Sequence, residues 1–282
     1  MADRVCLVTG ATSGIGKVTA AALAEQGATV VVVSRNEKRC ADTVDEIRES
    51  TGNPAVEYMV ADLSDLSQVR RLASEVTSRH PRLDVLVNNA GAYFLERQES
   101  ADGYELTWAL NYLSPYLLTR LLLPSLEASE SARVINVSSG AHSQGVIDFD
   151  DLQHENEYVG LEAYAQSKLA LVIFTYELAR RLEGSSVTVN ALHPGQVATS
   201  FGRNNGLLRF YVRRLVKRNE LSPEEGAQTS IYLATSPEVE GVTGKYYVKN
   251  KPKKSSESSY DRDLATRLWQ MSSDMTGLRQ ME

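Results

Sequence analysis

The sequence predicts an α/β fold in which a doubly wound parallel sheet of about seven strands carries helices on both faces. Three observations predict it. Short apolar runs rich in β-branched residues alternate with segments of helical period along most of the chain. A glycine-rich turn follows the first apolar run directly and opens a helix. The chain has 282 residues and 42% hydrophobic content, which is enough for one large core, so we expect a single domain.

The predicted strands are continuous apolar runs, which suits strands that are buried on both faces. They are Val5 to Val8, Val30 to Val33, Val56 to Val60, Val85 to Val87, Val134 to Val137 and Val187 to Ala191. The helical segments between them are Val18 to Gln26, Lys38 to Ser50, Leu66 to Arg79, Tyr104 to Leu123 and Tyr164 to Leu182. This alternation indicates βαβ units, because parallel strands need a crossover connection between them.

The end of the chain adds one more unit and a polar segment. Ser222 is a cap for a helix from Pro223 to Thr235, and a seventh strand is predicted at Lys245 to Val248. Residues 250–259 are polar without periodicity and are predicted to be a linker. A short helix beyond it would dock back on the domain through apolar residues, namely Leu264, Leu268 and Met271. The predicted organisation is therefore a main domain over 1–249 and a linker with a docking helix over 250–282.

Composition excludes several classes of function. The formal net charge of -6 argues against general nucleic-acid binding, which requires a basic field. Cys6 and Cys40 form no Cys-x-x-Cys pair, and the four histidines lack metal-ligand spacing, so neither a disulfide framework nor a metal site is expected. The start of the chain lacks a signal-peptide core, and no apolar run reaches the roughly 18 residues that span a bilayer. We expect a soluble cytoplasmic protein.

The glycine turn has the context of a dinucleotide-binding site. Gly10 would allow the tight turn, Gly14 the approach of a pyrophosphate, and Gly16 close packing of the helix, whose N-terminal amides would face the phosphates. The spacing is G-x-x-x-G-x-G, and the predicted architecture is therefore of the Rossmann type. Arg35 follows the second strand, where an acidic residue would select NAD, and it suits a 2′-phosphate instead. NADP(H) is favoured, with NAD(H) as the alternative and a solvated surface arginine as the simpler explanation of Arg35.

A second cluster suits proton transfer. Tyr164 and Lys168 stand four residues apart, and on a helix this spacing places both side chains on one face. An ammonium beside the phenol would favour the phenolate and lower the tyrosine pKa from its ordinary value of about 10. Ser138 and Ser139 lie upstream, at the end of a predicted strand. Alone, the Tyr-Lys spacing proves little, and the other motifs decide the interpretation.

These motifs together resemble the short-chain dehydrogenase/reductase family in its single-domain branch, and within it the retinol dehydrogenase-like group. The matching residues are Thr9 to Gly16, Asp62-Leu63, Asn88 to Gly91, Asn111, Ser139, Tyr164, Lys168, Pro194-Gly195, Val197 and Thr199. The resemblance and the glycine turn together assign the cofactor to Gly10, Thr12, Ser13, Gly14, Ile15, Gly16, Arg35, Asp62, Leu63, Asn89, Ala90, Gly91, Tyr164, Lys168, Pro194, Gly195, Val197 and Thr199.

The resemblance also implies the catalytic roles. Tyr164 would be the general acid for reduction and the general base for oxidation, and Lys168 would assist it and bind the nicotinamide ribose. Ser139, which stands 25 residues before the tyrosine as the family requires, would donate to the substrate oxygen, whereas Ser138 would end the strand. Asn111 would hold a water for proton relay to Lys168; a locally satisfied helix amide is the simpler explanation.

The substrate end is a basic amphipathic segment. Residues 200–221 would form a lid over an apolar pocket, whose expected walls are Tyr93, Phe94, His142 and Phe201, with Ser139. Contact of 206–219 with a membrane surface and an ordinary surface helix are alternative interpretations. His193, next to Pro194, is expected to be structural rather than in contact with the cofactor.

The predicted function is an NADP-preferring oxidoreductase acting on a small hydrophobic carbonyl or alcohol, such as a retinal-like aldehyde. The main alternative is a non-catalytic NADP-binding regulator of the same fold, against which Ser139, Tyr164 and Lys168 stand intact. An extended epimerase or dehydratase would need a larger substrate lobe than the residues after the sixth strand supply. A homodimer or homotetramer is expected by family analogy alone.

Overall fold

The fold is a doubly wound α/β sandwich, as the sequence predicts. The computed structural model describes residues 1–197 and 221–278. Within them, one sheet of eight strands has the order β3-β2-β1-β4-β5-β6-β7-β8. The strands are β1 Val5–Thr9, β2 Thr29–Ser34, β3 Val56–Val60, β4 Val85–Asn88, β5 Ala132–Val137, β6 Val187–His193, β7 Lys245–Val248 and β8 Lys251–Lys253.

The strand order places a crevice at one edge of the sheet. Strands β1 to β7 are parallel, and β1 lies between β2 and β4, with Leu7 opposite both Val31 and Leu86. The chain therefore winds outward from β1 in one direction and then from β4 in the other. Ligands of such sheets bind outside the carboxyl ends of the strands at this switch point.

Helices cover both faces of the sheet. They are α1 Gly14–Glu25, α2 Glu37–Thr51, α3 Leu66–Arg79, α4 Leu106–Trp108, α5 Ser114–Glu127, α6 Gly160–Arg181, α7 Pro223–Thr235 and α8 Arg262–Thr276. Leu7 packs in a core with α3, α5, α6 and α8, whereas Val8 packs in a second core with α1, α2 and α7. Because successive residues of a strand point to opposite faces, each apolar run fills both cores.

The helix predicted from Tyr104 to Leu123 is interrupted. It begins at α4, where the Glu105 carboxylate accepts hydrogen bonds from the Thr107 and Trp108 amides, at 2.9 and 2.7 Å. A π-helical turn, Ala109–Leu113, then precedes α5. Pro115 explains the change, because it has no N–H to offer to the carbonyl four residues earlier. The apolar periodicity of this segment did not reveal the change from α-helix to π-helix.

The predicted linker after β7 is wrong in part. Lys251–Lys253 forms β8, which pairs antiparallel with β7 at the edge of the sheet. Lys249 and Asn250, with φ angles of 52° and 60°, make the turn between the two strands. Lysine and proline protect sheet edges from pairing with other chains, so a strand of this composition is easily mistaken for a loop. The helix α8 that follows has 15 residues and is capped by Asp261.

No helix among the described residues combines the length and the apolar character needed to cross a bilayer.

Candidate active site

A cleft of about 940 Å³ opens at the carboxyl edge of the sheet. Turns that follow each of the strands β1 to β6 line it. Most of the predicted cofactor residues lie on this lining: Gly10, Thr12, Ser13, Gly14, Ile15, Gly16, Arg35, Asp62, Leu63, Asn89, Ala90, Gly91, Tyr164, Lys168, Pro194, Gly195 and Val197. Thr199 lies outside the described residues. Motifs that are far apart in the chain thus lie side by side on one surface, at the switch point of the sheet.

Two of the glycines are required by close packing between turns. Gly10 has φ +64°, and a Cβ there would lie 2.9 Å from Ala90 Cα. A Cβ on Gly16 would lie 2.4 Å from Asn89 Nδ2 and 2.5 Å from the Gly10 carbonyl oxygen. Real Cβ atoms do not tolerate such distances. The turn after β1 therefore fits against the turn after β4 only when both positions are glycine.

The Asn89 side chain joins these two turns. Its Nδ2 donates hydrogen bonds to the carbonyls of Thr9 and Gly10, at 2.8 and 3.2 Å. The Thr9 hydroxyl accepts in return from the backbone amides of Asn89 and Ala90, at 2.9 and 3.0 Å. Because both amide protons of Asn89 are used, only its Oδ1 remains for a ribose hydroxyl. This residue is thus a structural tie in addition to the cofactor contact that the resemblance implies.

The start of α1 fits a dinucleotide phosphate. Gly14 has φ +55°, which turns the chain into the helix, and the first turn of α1 contains no acidic residue. The first amides of a helix have no intrahelical acceptor and carry the positive end of the helix dipole. Helix amides at the wall of the cleft, in a first turn without acidic side chains, suit a pyrophosphate. The residues present therefore fit a nicotinamide dinucleotide.

Two arginines lie at the far end of the cleft. Arg35 follows β2, and Arg39, in the first turn of α2, also lines the cleft and is exposed. The sequence predicted Arg35 as a cofactor residue but not Arg39. Its position four residues after Arg35, in the first turn of a predicted helix, could have indicated that the two side chains lie close together. Thr12 donates a hydrogen bond to Ser34 at 3.2 Å and holds this corner to the glycine turn. Together the two guanidinium groups make this end of the cleft positive.

Asp62 and Leu63 form the next wall. The Asp62 carboxylate accepts from the amide and the hydroxyl of Ser64, at 3.0 and 2.6 Å, which closes a tight turn after β3. Leu63 is buried beside it. The pair offers a polar edge and an apolar surface, which suits the adenine contact that the resemblance implies.

Tyr164 and Lys168 meet as the four-residue spacing predicts. Both lie on α6, and Lys168 Nζ is 5.7 Å from the centre of the Tyr164 ring. Lys168 is only 3% exposed, and its Nζ donates to the Val137 carbonyl at 3.0 Å. A lysine ammonium has three donors, so this bond fixes the amine at the end of β5 and leaves two protons for other acceptors.

The direction of the tyrosine shift differs from the expectation. Burial raises the pKa of Tyr164 to about 12, and a hydrogen bond with Ser139 opposes that shift. Burial lowers the pKa of Lys168 to about 8. Each group is therefore pushed towards its neutral form, because removing a charge from water costs more than the distant amine returns. At neutral pH Tyr164 is a phenol, which is the proton-donating form.

The two serines have different surroundings. Ser139 lines the cleft and hydrogen-bonds Tyr164, and its Oγ also accepts from the Ala141 amide at 3.2 Å. The buried Ser138 hydroxyl donates to the Lys168 carbonyl at 2.9 Å, so it ties β5 to α6. This geometry supports Ser139, rather than Ser138, as the serine in contact with a substrate oxygen.

Asn111 lies behind the cleft wall in the π-helical turn. Its Oδ1 accepts from the Ala92 amide at 2.8 Å, and its Nδ2 donates to the Ala92 carbonyl at 2.9 Å and to Ser167 at 3.1 Å. A Cβ on Gly91 would lie 3.1 Å from Asn111 Oδ1 and 3.3 Å from Lys168 Nζ. The Asn111 side chain is thus satisfied locally, close to the lysine. Its role in holding a water stays a prediction.

The predicted substrate walls are only partly brought together. Phe94 lines the cleft, and Tyr93 packs edge-on to the Tyr164 ring, with centroids 6.0 Å apart. The prediction for His142 is wrong, because this residue does not line the cleft. Its ring is buried and packs against the ring of Tyr246 on β7. Phe201 and nearly all of the predicted lid, residues 200–220, lie outside the described residues.

Several lining residues were missed by sequence reasoning. They are Leu110, Gln144, Leu161 and Arg39, and His193, which was expected to be structural, also lines the cleft. Leu161 stands one turn before Tyr164 on α6, a signal that helical spacing offered. Gln144 carried no such signal. With Phe94, Leu110 and Leu161 give the tyrosine end of the cleft an apolar side.

Comparisons with known proteins agree with this geometry. The family model described as short chain dehydrogenase matches residues 4–207. Among curated proteins, the chain is 42% identical to retinol dehydrogenase 13 of Mus musculus over 98% of this chain and 84% of that relative. It is also 42% identical to polyprenol dehydrogenase of Homo sapiens, over 98% of this chain and 86% of that relative.

Solved structures give the same fold. A crystal structure of an uncharacterized protein from Mycobacterium Paratuberculosis has a TM-score of 0.81 and 33% identity, covering 100% of this chain and 96% of that one. The Pseudomonas aeruginosa RhlG/NADP complex has a TM-score of 0.70 and 32% identity, over 87% and 94%. The reductase for 3-ketoacyl-(acyl-carrier-protein) from Brucella melitensis, complexed with NADH, has a TM-score of 0.68 and 25% identity, over 87% and 96%.

Proposed function

The chain belongs to the short-chain dehydrogenase family and is an NAD(P)-dependent dehydrogenase or reductase, and from this premise we propose that it reduces a lipophilic carbonyl with NADPH, or oxidises the corresponding alcohol, with Tyr164 as the acid or base. The meeting of Tyr164, Lys168 and Ser139 at one end of the cleft carries the proposal. Location in the cytoplasm stays a prediction.

The chain offers a holder for each part of the cofactor. The first amides of α1 would bind the pyrophosphate, Arg35 and Arg39 the 2′-phosphate, Asp62 and Leu63 the adenine, and Asn89 Oδ1 a ribose hydroxyl. Pro194, Gly195 and Val197 would hold the carboxamide, and the resemblance assigns the same group to Thr199, which lies outside the described residues. When bound, the nicotinamide supplies or accepts the hydride. The preference for NADP rests on the two arginines, since the solved relatives carry NADP in one case and NADH in another.

The protein side of the reaction is proton transfer at a positioned oxygen. Ser139 donates to the substrate oxygen and stabilises the negative charge that develops there. Tyr164 donates its phenolic proton to that oxygen in reduction, and it accepts the proton back in oxidation. Lys168 stabilises the phenolate formed in reduction, because its ammonium is the cation of the pair. Since burial keeps Tyr164 protonated at neutral pH, the tyrosine is there in the form that donates a proton in reduction.

The proposed substrate is an apolar molecule with one carbonyl or hydroxyl group. Phe94, Leu110 and Leu161 surround the tyrosine end of the cleft, and Leu161 is 52% exposed. Apolar walls with few polar groups favour ligands of matching character. Two relatives, retinol dehydrogenase 13 and polyprenol dehydrogenase, are named for lipophilic alcohols.

The decisive experiment is steady-state reduction of lipophilic aldehydes and ketones, followed by nicotinamide absorbance. Tyr164→Phe should lower kcat by about 100- to 10,000-fold, because proton donation is lost. NADPH binding, measured by fluorescence, should be kept. Tyr176→Phe is the matched control, since this tyrosine lies on the same helix with its hydroxyl on Ser255. Equal turnover by parent and Tyr164→Phe would contradict the proposed role of the phenol.

A further inference from the structure

One peptide group beside the catalytic serine is held from both sides by histidines. The carbonyl of Ser139 accepts a hydrogen bond from His142 Nδ1 at 2.7 Å. The amide of Gly140 donates to His193 Nδ1 at 3.0 Å. The Ser139 carbonyl and the Gly140 amide are the two ends of a single peptide unit. Its orientation fixes the backbone from which the Ser139 hydroxyl projects.

The hydrogen bonds determine the tautomer of each ring. His193 Nδ1 accepts from the Gly140 amide and also lies 3.4 Å from the Gly195 amide, so its proton must be on Nε2. His142 Nδ1 must donate to the Ser139 carbonyl, and its Nε2 accepts from the Ser256 amide at 3.2 Å, so its proton must be on Nδ1. The two rings are neutral and of opposite tautomers.

Neither ring has room for another arrangement. A Cβ on Gly140 would lie 3.3 Å from His193 Nε2, so the imidazole packs directly on this glycine. His142 is only 4% exposed, and the Tyr246 hydroxyl lies 3.3 Å from its Nδ1. A second proton on either ring would place an N–H against a backbone N–H that already needs an acceptor.

We propose that His142 and His193 are positioning residues that together form a clamp, meaning that they hold the Ser139–Gly140 peptide in its working orientation, and that His193 can do so only while its ring is neutral. His193 also connects this peptide to Gly195, in the loop assigned to the nicotinamide carboxamide. The clamp therefore sets the serine hydroxyl and that loop relative to each other. The inference rests on the proposed function for its catalytic consequence, whereas the tautomers follow from the hydrogen bonds alone.

The clamp predicts a loss of activity on the acid side. Burial lowers the pKa of both histidines below their ordinary value of about 6.5, so the clamp is closed at neutral pH and opens as pH falls. The ionisable groups packed against it are Tyr164 and Lys168 on α6 and Tyr246 on β7. Burial raises the pKa of the two tyrosines and lowers that of Lys168 to about 8. None of the three groups therefore changes its charge in the acid range. Lys254 and Glu257 flank Ser256 at the surface.

Asparagine substitutions test the clamp without removing it. At position 193 the side-chain oxygen of His193→Asn can accept from the Gly140 amide, and at position 142 the side-chain amide of His142→Asn can donate to the Ser139 carbonyl. Neither can be protonated. We expect kcat of the double asparagine variant, taken relative to its own value at neutral pH, to lose the acid-side decline. His193→Ala should lower kcat about 10- to 100-fold at every pH, because the half-buried Gly140 amide loses the acceptor that orients it.

Two controls accompany these variants. His80→Asn replaces a histidine that contacts Glu57 at the opposite edge of the sheet, and it should leave the acid-side decline unchanged. Glu257→Gln removes the carboxylate of the residue that follows Ser256 in the chain, and it should also leave the acid-side decline unchanged. If the double asparagine variant declines at the same pH as the parent, the clamp does not set the acid limit and the proposal is wrong.

A measurement independent of turnover separates this proposal from the proposed function. Nitrogen-15 NMR of the histidine rings should show His193 protonated on Nε2 and His142 on Nδ1 at neutral pH. The opposite tautomer at either position would overturn the clamp. If the tautomers are as expected but no carbonyl substrate is reduced, the proposed function fails while the assignment of the hydrogen bonds stands.

Discussion

At the scale of single residues, burial rather than local spacing decides the charge of the catalytic pair. Tyr164 and Lys168 are four residues apart on α6, and that spacing alone predicts an ammonium that lowers the tyrosine pKa. In the structure, the amine is held by the Val137 carbonyl, and burial shifts the pKa of each group so that its uncharged form is favoured. The site is therefore set for proton donation at neutral pH.

The pH dependence of the two directions should differ. Because the pKa of Tyr164 is raised to about 12, the proton donor for reduction stays protonated throughout the neutral range. Lys168, with its pKa lowered to about 8, loses its charge as pH rises through that value, and kcat/KM for reduction should fall there. Oxidation requires the phenolate and should become faster as pH rises towards that value, whereas above it the loss of the Lys168 charge opposes the increase. Profiles in both directions check this, and a reduction rate that rises through pH 8 would contradict it.

The arginine pair predicts cofactor preference. Arg35→Ala and Arg39→Ala should each weaken NADP binding about tenfold and leave NAD binding nearly unchanged, because only NADP carries a 2′-phosphate. Dissociation constants for both cofactors measure this. Arg48→Ala, on the last turn of the same helix, is the control. Unchanged affinities in the Arg35 variant would show that the phosphate contact is misassigned.

At the scale of elements, the site depends on how two turns fit together. The glycine turn between β1 and α1 packs on the turn after β4, with Asn89 donating to the carbonyls of Thr9 and Gly10. The phosphate-binding end of α1 is thus fixed by a second βα unit, one that lies more than 70 residues later in the chain. Changes in that contact should affect folding and cofactor binding together.

Gly16→Ala tests this coupling. Its Cβ would lie 2.4 Å from Asn89 Nδ2, so the two turns must move apart. The free energy of unfolding should fall by about 1–3 kcal/mol, and cofactor affinity should fall as well. Gly52→Ala is the matched control: its φ of +69° costs roughly 1–2 kcal/mol, but nothing lies within 4 Å of its Cβ. Urea denaturation measures the stability, and cofactor fluorescence measures the affinity. A Gly16→Ala variant that lost stability but kept its cofactor affinity would contradict the coupling.

At the scale of the whole molecule, the C-terminal helix α8 completes a core that the sheet begins. Trp269, which is 3% exposed, packs against the rings of Tyr116 on α5 and Phe174 on α6. The guanidinium groups of Arg120 and Arg181 lie 4.8 and 4.3 Å from its ring centre. The helix therefore covers faces of α5 and α6 that would otherwise be open to solvent or to another subunit.

Trp269→Ala should destabilise the protein strongly. Loss of a buried aromatic side chain typically costs about 3–5 kcal/mol, because a cavity is left behind. Thr266→Ala, an exposed position on the same helix, should change the free energy of unfolding by less than about 0.5 kcal/mol. Thermal or urea unfolding measures both. Equal stabilities of the two variants would mean that α8 is not part of the cooperative core.

The expected homodimer or homotetramer bears on the same helix. The oligomer stays a prediction. Because α8 covers the faces of α5 and α6 that it packs against, those faces cannot contact another subunit.

The sequence by itself determined the features that depend on neighbouring residues. Apolar runs of strand length, the glycine turn after β1 and the helical spacing of Tyr164 and Lys168 are local patterns, and each predicted its element because backbone geometry is set over a few residues. The sheet of parallel strands and the position of the cleft followed from their alternation. The seven predicted strands are all present, and β8 was missed because edge strands tolerate polar residues and proline.

Only the tertiary structure decided what depends on residues far apart in the chain. The direction of His142 away from the cleft, the place of His193 in it and the sign of the Tyr164 pKa shift all require knowing which groups surround each side chain. The π-helical turn that carries Asn111 and the packing of Trp269 are similar cases. Desolvation and hydrogen bonding act on groups brought together by folding, and no local pattern records those neighbours.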